Sequence, residues 1–452
     1  MLGEDDDVFD SVTWESPSAP TYDAGPSAPT GPGFRQSTAE SEPGHGPHDP
    51  KWEGYLITSV KDPVKELADT KDAYVSYLVS AKTNLPIFST PNPSARRRFQ
   101  DFVFLRNHLS KDFPACVVPP LPDKHRLEYV TGDRFSPEFM ERRRADLHRF
   151  LQRLSRHPTL QRSTLLRAFF ESTEWHVTMH QHVAHPPGPE HTTGVIDSIS
   201  DTLLNAFSRV RKPDERFLAM REGVDKFEEG IVLTERLWSR IRNRTNDGTL
   251  EPGEDLTGDY HDMAVAVQGL GFLESGITDP LNHFSNTLLE FSALLRHTTQ
   301  TTTDPFLIHL HSLLQYSHAN RAVLKLRDQK QMDFEELSDY LSGVTSERDR
   351  SYLKDRVDAL RGADDDRSRV EKMRKLDAKI KELQDAVQTA HETSDAFSDE
   401  TLREQTVFQY AKEAEMKEML GNLADGQMEF YKAAMDEWDR IIPIIQRIRV
   451  DV

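Results

Sequence analysis

The stretch of this chain best equipped for chemistry is Arg96-Arg97-Arg98-Phe99-Gln100-Asp101-Phe102, three guanidinium groups beside an aromatic ring and a carboxylate. An arginine held in place offers a planar pair of donors to a phosphate, and the flat face of Phe99 suits a sugar or inositol ring. The chemistry to expect is recognition of an anion. A solvated basic patch is the alternative for three arginines alone. A second basic cluster, Arg142-Arg143-Arg144, lies downstream. Arg143 stands four residues after Phe139 and four before Leu147, on the apolar stripe of its helix, where an unpaired charge is costly. Arg142 and Arg144 are expected to be solvated. His176, His180, His182 and His185 fall at metal-ligand-like spacings. No carboxylate or thiol is fixed near them, and Pro186-Pro187-Gly188-Pro189 follows at once, so no metal is expected. The chain carries no P-loop, HExxH, GxSxG or kinase signature, and the pair Cys116 and His125 lacks a third orienting group. No catalytic residue and no cofactor is expected.

These side chains need a scaffold. Asp101 is a suitable N-cap, and Phe102, Leu105, Leu109 and Phe113 follow at helical spacing, which predicts a helix over 101–113 with the arginines ending a strand before it. Residues 52–60 and 72–81 alternate in the manner of strands, and with the strand ending at Phe99 they make a small antiparallel sheet. The segment 119–122 is extended, with polyproline geometry. Ser136 caps the next helix and Pro137 suits its first position. Its stripe of Phe139, Arg143, Leu147, Phe150, Leu151 and Leu154 packs under the sheet.

The formal charge of −19 is unevenly spread. Residues 1–50 carry 1 basic and 10 acidic residues, net −9, while residues 51–172 carry 21 and 14, net +7. A local basic excess in an acidic chain favours an anionic lipid surface and argues against nucleic acid. The single cysteine excludes an intramolecular disulfide and points to a cytoplasmic chain. No apolar run reaches membrane-spanning length, so membrane contact would be peripheral.

Taken in order, residues 1–50 form a disordered, acidic tail rich in Pro, Gly and Ser, 51–172 a mixed α+β domain, and 173–212 a linker. Within the linker, 195–210 reads as an amphipathic helix whose Ile199, Leu203 and Phe207 share an apolar face. A membrane interface and packing on the neighbouring domain both fit that face. From 213 to 452 almost everything is helical. Phe217, Met220, Val224, Phe227, Ile231, Thr234, Trp238 and Ile241 step by three and four, as coiled-coil seams do. A break follows at 246–258, then a helix over 260–297 and a further helix starting at Asp304-Pro305. Leu376, Ile380, Leu383, Val387 and Ala390 repeat the heptad, with Phe430 and Trp438 in the last helix as buried anchors. Three such helices, each with one apolar seam, are expected to lie side by side as an elongated all-α bundle and to dimerise.

The run from Arg98 to Phe102, the loop Val117-Val118-Pro119-Pro120-Leu121-Pro122-Asp123-Lys124 and the helix that carries Arg143 together resemble the phosphoinositide-binding PX domain. The resemblance implies that Arg98 grips a 3-phosphate, Phe99 stacks under the inositol ring, Lys124 meets the 1-phosphate and Arg143 holds the 4- and 5-hydroxyls. The chain departs from the family in carrying Phe99 where Tyr is commonest, and Asp123 where Gly is common. A PX domain, a short amphipathic helix and a three-helix BAR bundle in this order resemble the PX-BAR sorting nexins. Arg327-Asp328-Gln329-Lys330-Gln331, Gly271-Phe272-Leu273-Glu274-Ser275-Gly276-Ile277 and Ser285-Asn286-Thr287-Leu288 are most similar to the autophagy-linked branch.

That resemblance implies a non-catalytic protein that binds phosphatidylinositol 3-phosphate on endosomal and preautophagosomal membranes. It also implies a BAR homodimer, or a heterodimer with another PX-BAR sorting nexin, that handles membrane cargo. Lys325, Arg327, Lys330, Lys372, Arg374, Lys375, Lys379 and Lys381 are candidates for a basic, membrane-facing side of the bundle. The competing class is a coiled-coil scaffold whose PX-like segment binds a protein.

Overall fold

The computed structural model describes residues 54–67, 73–122, 135–185, 213–246, 255–274, 276–360 and 366–448. The tail, Lys124 and the amphipathic stretch with Ile199, Leu203 and Phe207 lie outside them. Three antiparallel strands, β1 (Leu56–Glu66), β2 (Tyr74–Thr83) and β3 (Ser94–Arg98), pair in that order. Alternation fixes their faces: Leu56, Thr58 and Val60 of β1 are buried while Ile57 is exposed. Val60 stands opposite Val79 and Ser76 opposite Arg98, with a bulge between Lys61 and Val64 where Asp62 takes a φ of 46°.

Helix α1 (Phe99–Asp112) follows β3 without a loop and buries Phe102, Leu105 and Leu109. It begins two residues earlier than the sequence predicts, because Asp101 is not the cap. Arg98 occupies the cap position, and the Asp101 carboxylate accepts the backbone N–H of Arg98 at 2.8 Å. Helix α2 (Pro137–Arg156) starts as expected, with Ser136 Oγ accepting the Phe139 N–H at 3.2 Å. Its stripe from Phe139 to Leu154 is buried, Arg143 included. Helix α3 (Thr164–Glu171) closes the core with Phe169, whose ring stands 5.0 Å from Phe102.

The expected linker after residue 172 is not one throughout. Residues Trp175–Ala184 form helix α4, and Trp175 is buried with its ring 5.3 Å from that of Phe169. One indole removes enough apolar surface from water to dock a short polar helix. Of the four histidines there, His182 turns inward to Asp112 at 3.1 Å, while His176, His180 and His185 are exposed.

The second half is built from α5 (Glu215–Thr245), α6 (Leu256–Leu273), α7 (Thr278–Thr298), α8 (Asp304–Leu360) and α9 (Asp366–Ile445). The helix expected over 260–297 is a hairpin. Thr278 Oγ1 donates to the Gly271 and Glu274 carbonyls at 2.9 and 3.0 Å where the chain reverses. Small polar residues bring its arms together, Ser285 Oγ donating to the Ala264 carbonyl at 2.7 Å and Ser292 Oγ to that of Thr257 at 2.9 Å. Helix α8 starts at Asp304 as expected, but a change of helix type rather than a loop precedes it. Thr299–Thr303 form a π turn between α7 and α8 in which the Asp304 N–H reaches the Thr299 carbonyl, ahead of a proline that has no N–H to give.

The predicted seams face inward. Ile231 packs with Phe306 and Leu310, and Ile380 and Leu383 pack with Leu337 and Val344. Ile241, at the end of the first seam, is exposed. Phe430 and Trp438 pack on Phe291 of the same chain, with ring centroids 5.9 and 6.2 Å away. Arg327 does not belong to a basic face, since it is buried with its guanidinium 4.0 Å from the Phe217 ring and Nε donating to Ser398 Oγ at 3.0 Å. Among the described residues no helix is long and apolar enough to cross a membrane.

The π turn meets α9 at Gly426. A Cβ there would stand 3.0 Å from Thr302 Cβ and closer still to its Oγ1 and Cγ2. Threonine is stiff at χ1, so the clash has no easy escape. Gly426→Ala is expected to cost about 1–3 kcal/mol, the usual penalty of overpacking. Thermal unfolding should show the loss, and the double variant Gly426→Ala/Thr302→Ala should recover most of it.

Candidate anion-binding cleft

The three consecutive arginines meet three different fates, set by the alternation of β3. Arg97 points into the core and is 4% exposed. Its Nε donates to the Phe169 carbonyl at 3.0 Å and its Nη2 to that of Ser172 at 2.5 Å, with Trp175 packed 5.1 Å from the guanidinium. Burial lowers its pKa to about 10 against the opposing pull of Asp101, so it stays cationic at neutral pH. Arg96, on the opposite face, is spent on β2 and the bulge. It donates to Ser76 Oγ at 2.9 Å and to the Asp62 carbonyl at 2.8 Å.

Arg98 is left at the mouth of a cleft of ≈ 240 Å³ lined by Tyr74, Tyr77, Phe99, Phe135, Phe139 and Arg143. Its side chain is 39% exposed, with Nε 3.5 Å from Asp101 Oδ1 and the guanidinium 6.0 Å from the Tyr74 ring. As the cap of α1 it stands where unpaired helix N–H groups and the helix dipole already favour negative charge. Arg143 reaches the same cleft from α2. Its guanidinium carbon lies 4.5 Å from the Phe99 ring centroid and 4.4 Å from that of Phe139, between two aromatic rings. Cation–π attraction of this kind reaches about 2 kcal/mol at desolvated sites and fixes the direction of the fork.

Arg98, Phe99 and Arg143, picked out from the sequence, are therefore neighbours in space, whereas Lys124 lies outside the described residues. Arg143 also occupies a face of Phe99, the ring expected to be open to a ligand. The sequence reading missed Tyr74 and Phe135 as lining residues. The strand register holds the signal for Tyr74: Arg98 faces Ser76, and Tyr74 is the next residue along the same face. Phe135 sits just ahead of the Ser136 cap, with Lys65 Nζ 4.3 Å from its ring centroid. Arg144, expected to be solvated, instead donates to the Val60 carbonyl at 2.9 Å and ties α2 to β1.

A second grouping of reactive types is Cys116, His157 and Glu404, all buried with ligand atoms within 4.8 Å of one another. His157 Nδ1 accepts the N–H groups of Thr159 and Leu160 at 3.2 Å each, so Nε2 carries the proton and donates to Glu404. A metal on Nε2 would have to displace that proton, and the arrangement is better suited to hydrogen bonding. Burial, with Glu404 beside it, pushes the Cys116 thiol far up, away from the reactive thiolate.

Residues 85–173 match the PX domain, and β2 completes the sheet against β3 from outside that segment. Sheet, cleft and helical second half together define a PX domain joined to a BAR-type bundle. The solved structure titled "The cryo-EM structure of the SNX-BAR Mvp1 tetramer" shares this fold, with a TM-score of 0.54 at 16% identity over 85% of this chain and all of that one. Sorting nexin-4 of Cryptococcus neoformans var. neoformans (strain JEC21) is 56% identical over 426 residues, 90% of this chain and 85% of that protein. Sorting nexin-4 of Emericella nidulans is 37% identical over 479 residues, 97% and 96% of the two chains. The chain belongs to the sorting nexin-4 family, and with it to the membrane-associated sorting proteins.

The Asp101 carboxylate accepts the Arg98 backbone N–H through one oxygen and faces its Nε with the other. Asp101→Ala is expected to cost about 1 kcal/mol, as loss of a helix-start hydrogen bond does. Asp101→Asn keeps an oxygen acceptor for the Arg98 N–H and should retain most of that stability. Thermal unfolding that lowers both variants equally would contradict the assignment.

Proposed function

We propose that this chain binds phosphatidylinositol 3-phosphate in the Arg98–Phe99–Arg143 cleft and carries that recognition on a dimeric BAR bundle that senses or induces membrane curvature. The observation that supports it most is the division of the three arginines. Arg96 and Arg97 are consumed by the fold, while Arg98 alone of the three lines an aromatic cleft with Arg143 clamped beside it. A half-exposed guanidinium next to a buried, ring-held one suits a phosphate at the first and hydroxyls at the second. Lys124 is assigned the membrane-side phosphate, and Ile199, Leu203 and Phe207 an apolar face that enters the headgroup boundary. The working place of such a protein is the cytoplasmic side of endosomal and preautophagosomal membranes, in recycling of cargo and in selective autophagy.

Dimerisation turns one weak headgroup contact into a useful one, because two clefts then share one membrane. The outer side of α9 offers the surface: Met428, Tyr431, Met435 and Ile442 are 52%, 62%, 65% and 47% exposed, while Phe430 and Trp438 are used within the chain. Such a row of large apolar side chains is unusual on a monomer. Lys372, Arg374, Lys375 and Lys381 at the start of α9 are exposed and suit an anionic surface, whereas Lys379 also donates to Tyr340 at 2.5 Å.

Arg98→Ala should remove charge-assisted hydrogen bonds of about 1.5–3 kcal/mol each, lowering affinity for phosphatidylinositol 3-phosphate vesicles at least tenfold in co-sedimentation. Phe99→Tyr should be close to silent and Phe99→Ala should weaken binding. Vesicle binding that ignores this lipid would favour the protein-scaffold reading instead. For the dimer, Tyr431→Glu/Met435→Glu should shift the chain toward monomer in sedimentation velocity while leaving soluble-headgroup affinity unchanged. An unaltered association state would remove this face of α9 from the interface.

A further inference from the structure

Helix α2 carries Arg143 into the cleft and, further along, Arg153 and Arg156, with His157 at its C-cap. That second end meets α9. Arg153 Nε and Nη2 donate to the two oxygens of Glu415 at 2.7 and 2.8 Å, and both side chains are buried. The Arg153 guanidinium lies 4.8 Å from the Tyr316 ring, and His309 Nε2 stands 3.4 Å from Glu415. Burial acts to raise the Glu415 carboxyl, yet Arg153 and His309 hold it down at about 2, so the pair is fully charged at neutral pH. One turn on, His157 donates to Glu404 at 2.9 Å, and the Val117 N–H reaches the same carboxylate at 2.8 Å. Arg156 completes the row with Glu418 at 3.3 Å.

Apolar packing across this junction is thin by comparison. Val117 touches the cluster of Tyr316, Val323 and Phe408, and beside it a cavity of ≈ 440 Å³ opens between Pro120, Leu121 and Phe150 on one side and Leu307, Ile308 and His311 on the other. A non-directional contact of that size sets no angle. Directional, two-pronged hydrogen bonds between buried charges do.

We propose that Arg153–Glu415, seconded by His157–Glu404, is a positioning device that fixes the angle of the anion cleft to the helical bundle, so that both meet one membrane together. The proposal rests on the membrane-binding reading above and adds to it the residues that aim the cleft. None of the four touches the cleft, so intrinsic headgroup affinity and vesicle affinity become separable. Avidity between linked contacts is lost when geometry forbids simultaneous engagement, and its scale is about 10²–10⁴.

The test uses the full chain with spin labels at the exposed positions Asn107 and Lys417, and three forms: wild type, Glu415→Arg and Arg153→Glu/Glu415→Arg. Pulsed electron spin resonance should give a narrow distance distribution for wild type, a broad one for Glu415→Arg and a narrow one again for the charge-exchanged pair. Affinity for soluble dibutanoyl phosphatidylinositol 3-phosphate should stay within about twofold across all three, while binding to vesicles containing that lipid should fall about tenfold or more for Glu415→Arg and return in the double variant. If Glu415→Arg melts early, Arg153→Met/Glu415→Met, which buries no charge, replaces it with the same expectation of a broad distribution. A narrow distribution in the loosened variant, unchanged vesicle binding, or an equal loss for the soluble lipid overturns the proposal. Wild-type protein that ignores the vesicles overturns the membrane-binding reading itself, a different result from a variant that matches a binding wild type.

Discussion

Arg97 is the guanidinium on which the order of the cleft depends. A buried arginine is tolerable only when its donors are met, and here the carbonyls of Phe169 and Ser172 meet them at the point where α3 ends. That bond pattern ties β3 to the last helices of the α+β half and seats Trp175 over the guanidinium. Because neighbours on a strand point to opposite faces, an Arg97 turned inward obliges Arg96 and Arg98 to turn outward. Arg98 is then separated from Arg96 by its place at the strand end, where the chain turns into α1 and Asp101 holds its backbone. The candidate cleft is thus set up by a cation that does not line it.

Much of this was legible in the sequence, for reasons tied to particular residues. Arg143 fell on an apolar stripe with period three and four, and a charge there needs a reason; the reason is the pair of rings from Phe99 and Phe139. Ser136-Pro137 marked a helix start because both the cap oxygen and the missing proline N–H act locally. The heptads of α5 and α9 likewise identified their inner faces, since a seam repeats its own evidence over many turns. What spacing could not show was which of three adjacent arginines is left lining the cleft, because that depends on carbonyls more than seventy residues away.

The misreadings share a cause, which is tertiary contact overriding local pattern. Asp101 has the chemistry of a cap, but from the third helical position it serves the same N-terminus by accepting from Arg98. Apolar residues flank Glu274-Ser275-Gly276 on both sides, so the brief polar interruption hides the hairpin that threonine and serine hydroxyls stitch together. Arg327 belongs to a basic run, yet Phe217 and Ser398 draw it inside. Helix α4 lies in a histidine-rich stretch that reads as a connector, yet Trp175, with Met179 beside it, anchors the helix on the core.

The π turn at Thr299–Thr303 has a consequence for how the bundle keeps its seams in phase. An α-helix advances about 100° per residue, so one residue accommodated in a wide turn rotates everything beyond it by more than a quarter of a circle relative to a straight helix. Upstream, Phe291 faces Phe430 and Trp438 of α9; downstream, Phe306 and Leu310 face α5 and Met419 of α9. The extra residue works as a phase shifter between two packing patterns that a single uninterrupted helix of this sequence could not satisfy together. Length changes of one residue within 299–303 are therefore not neutral loop variation. They would turn one half of the seam toward water while leaving every side chain in it unchanged.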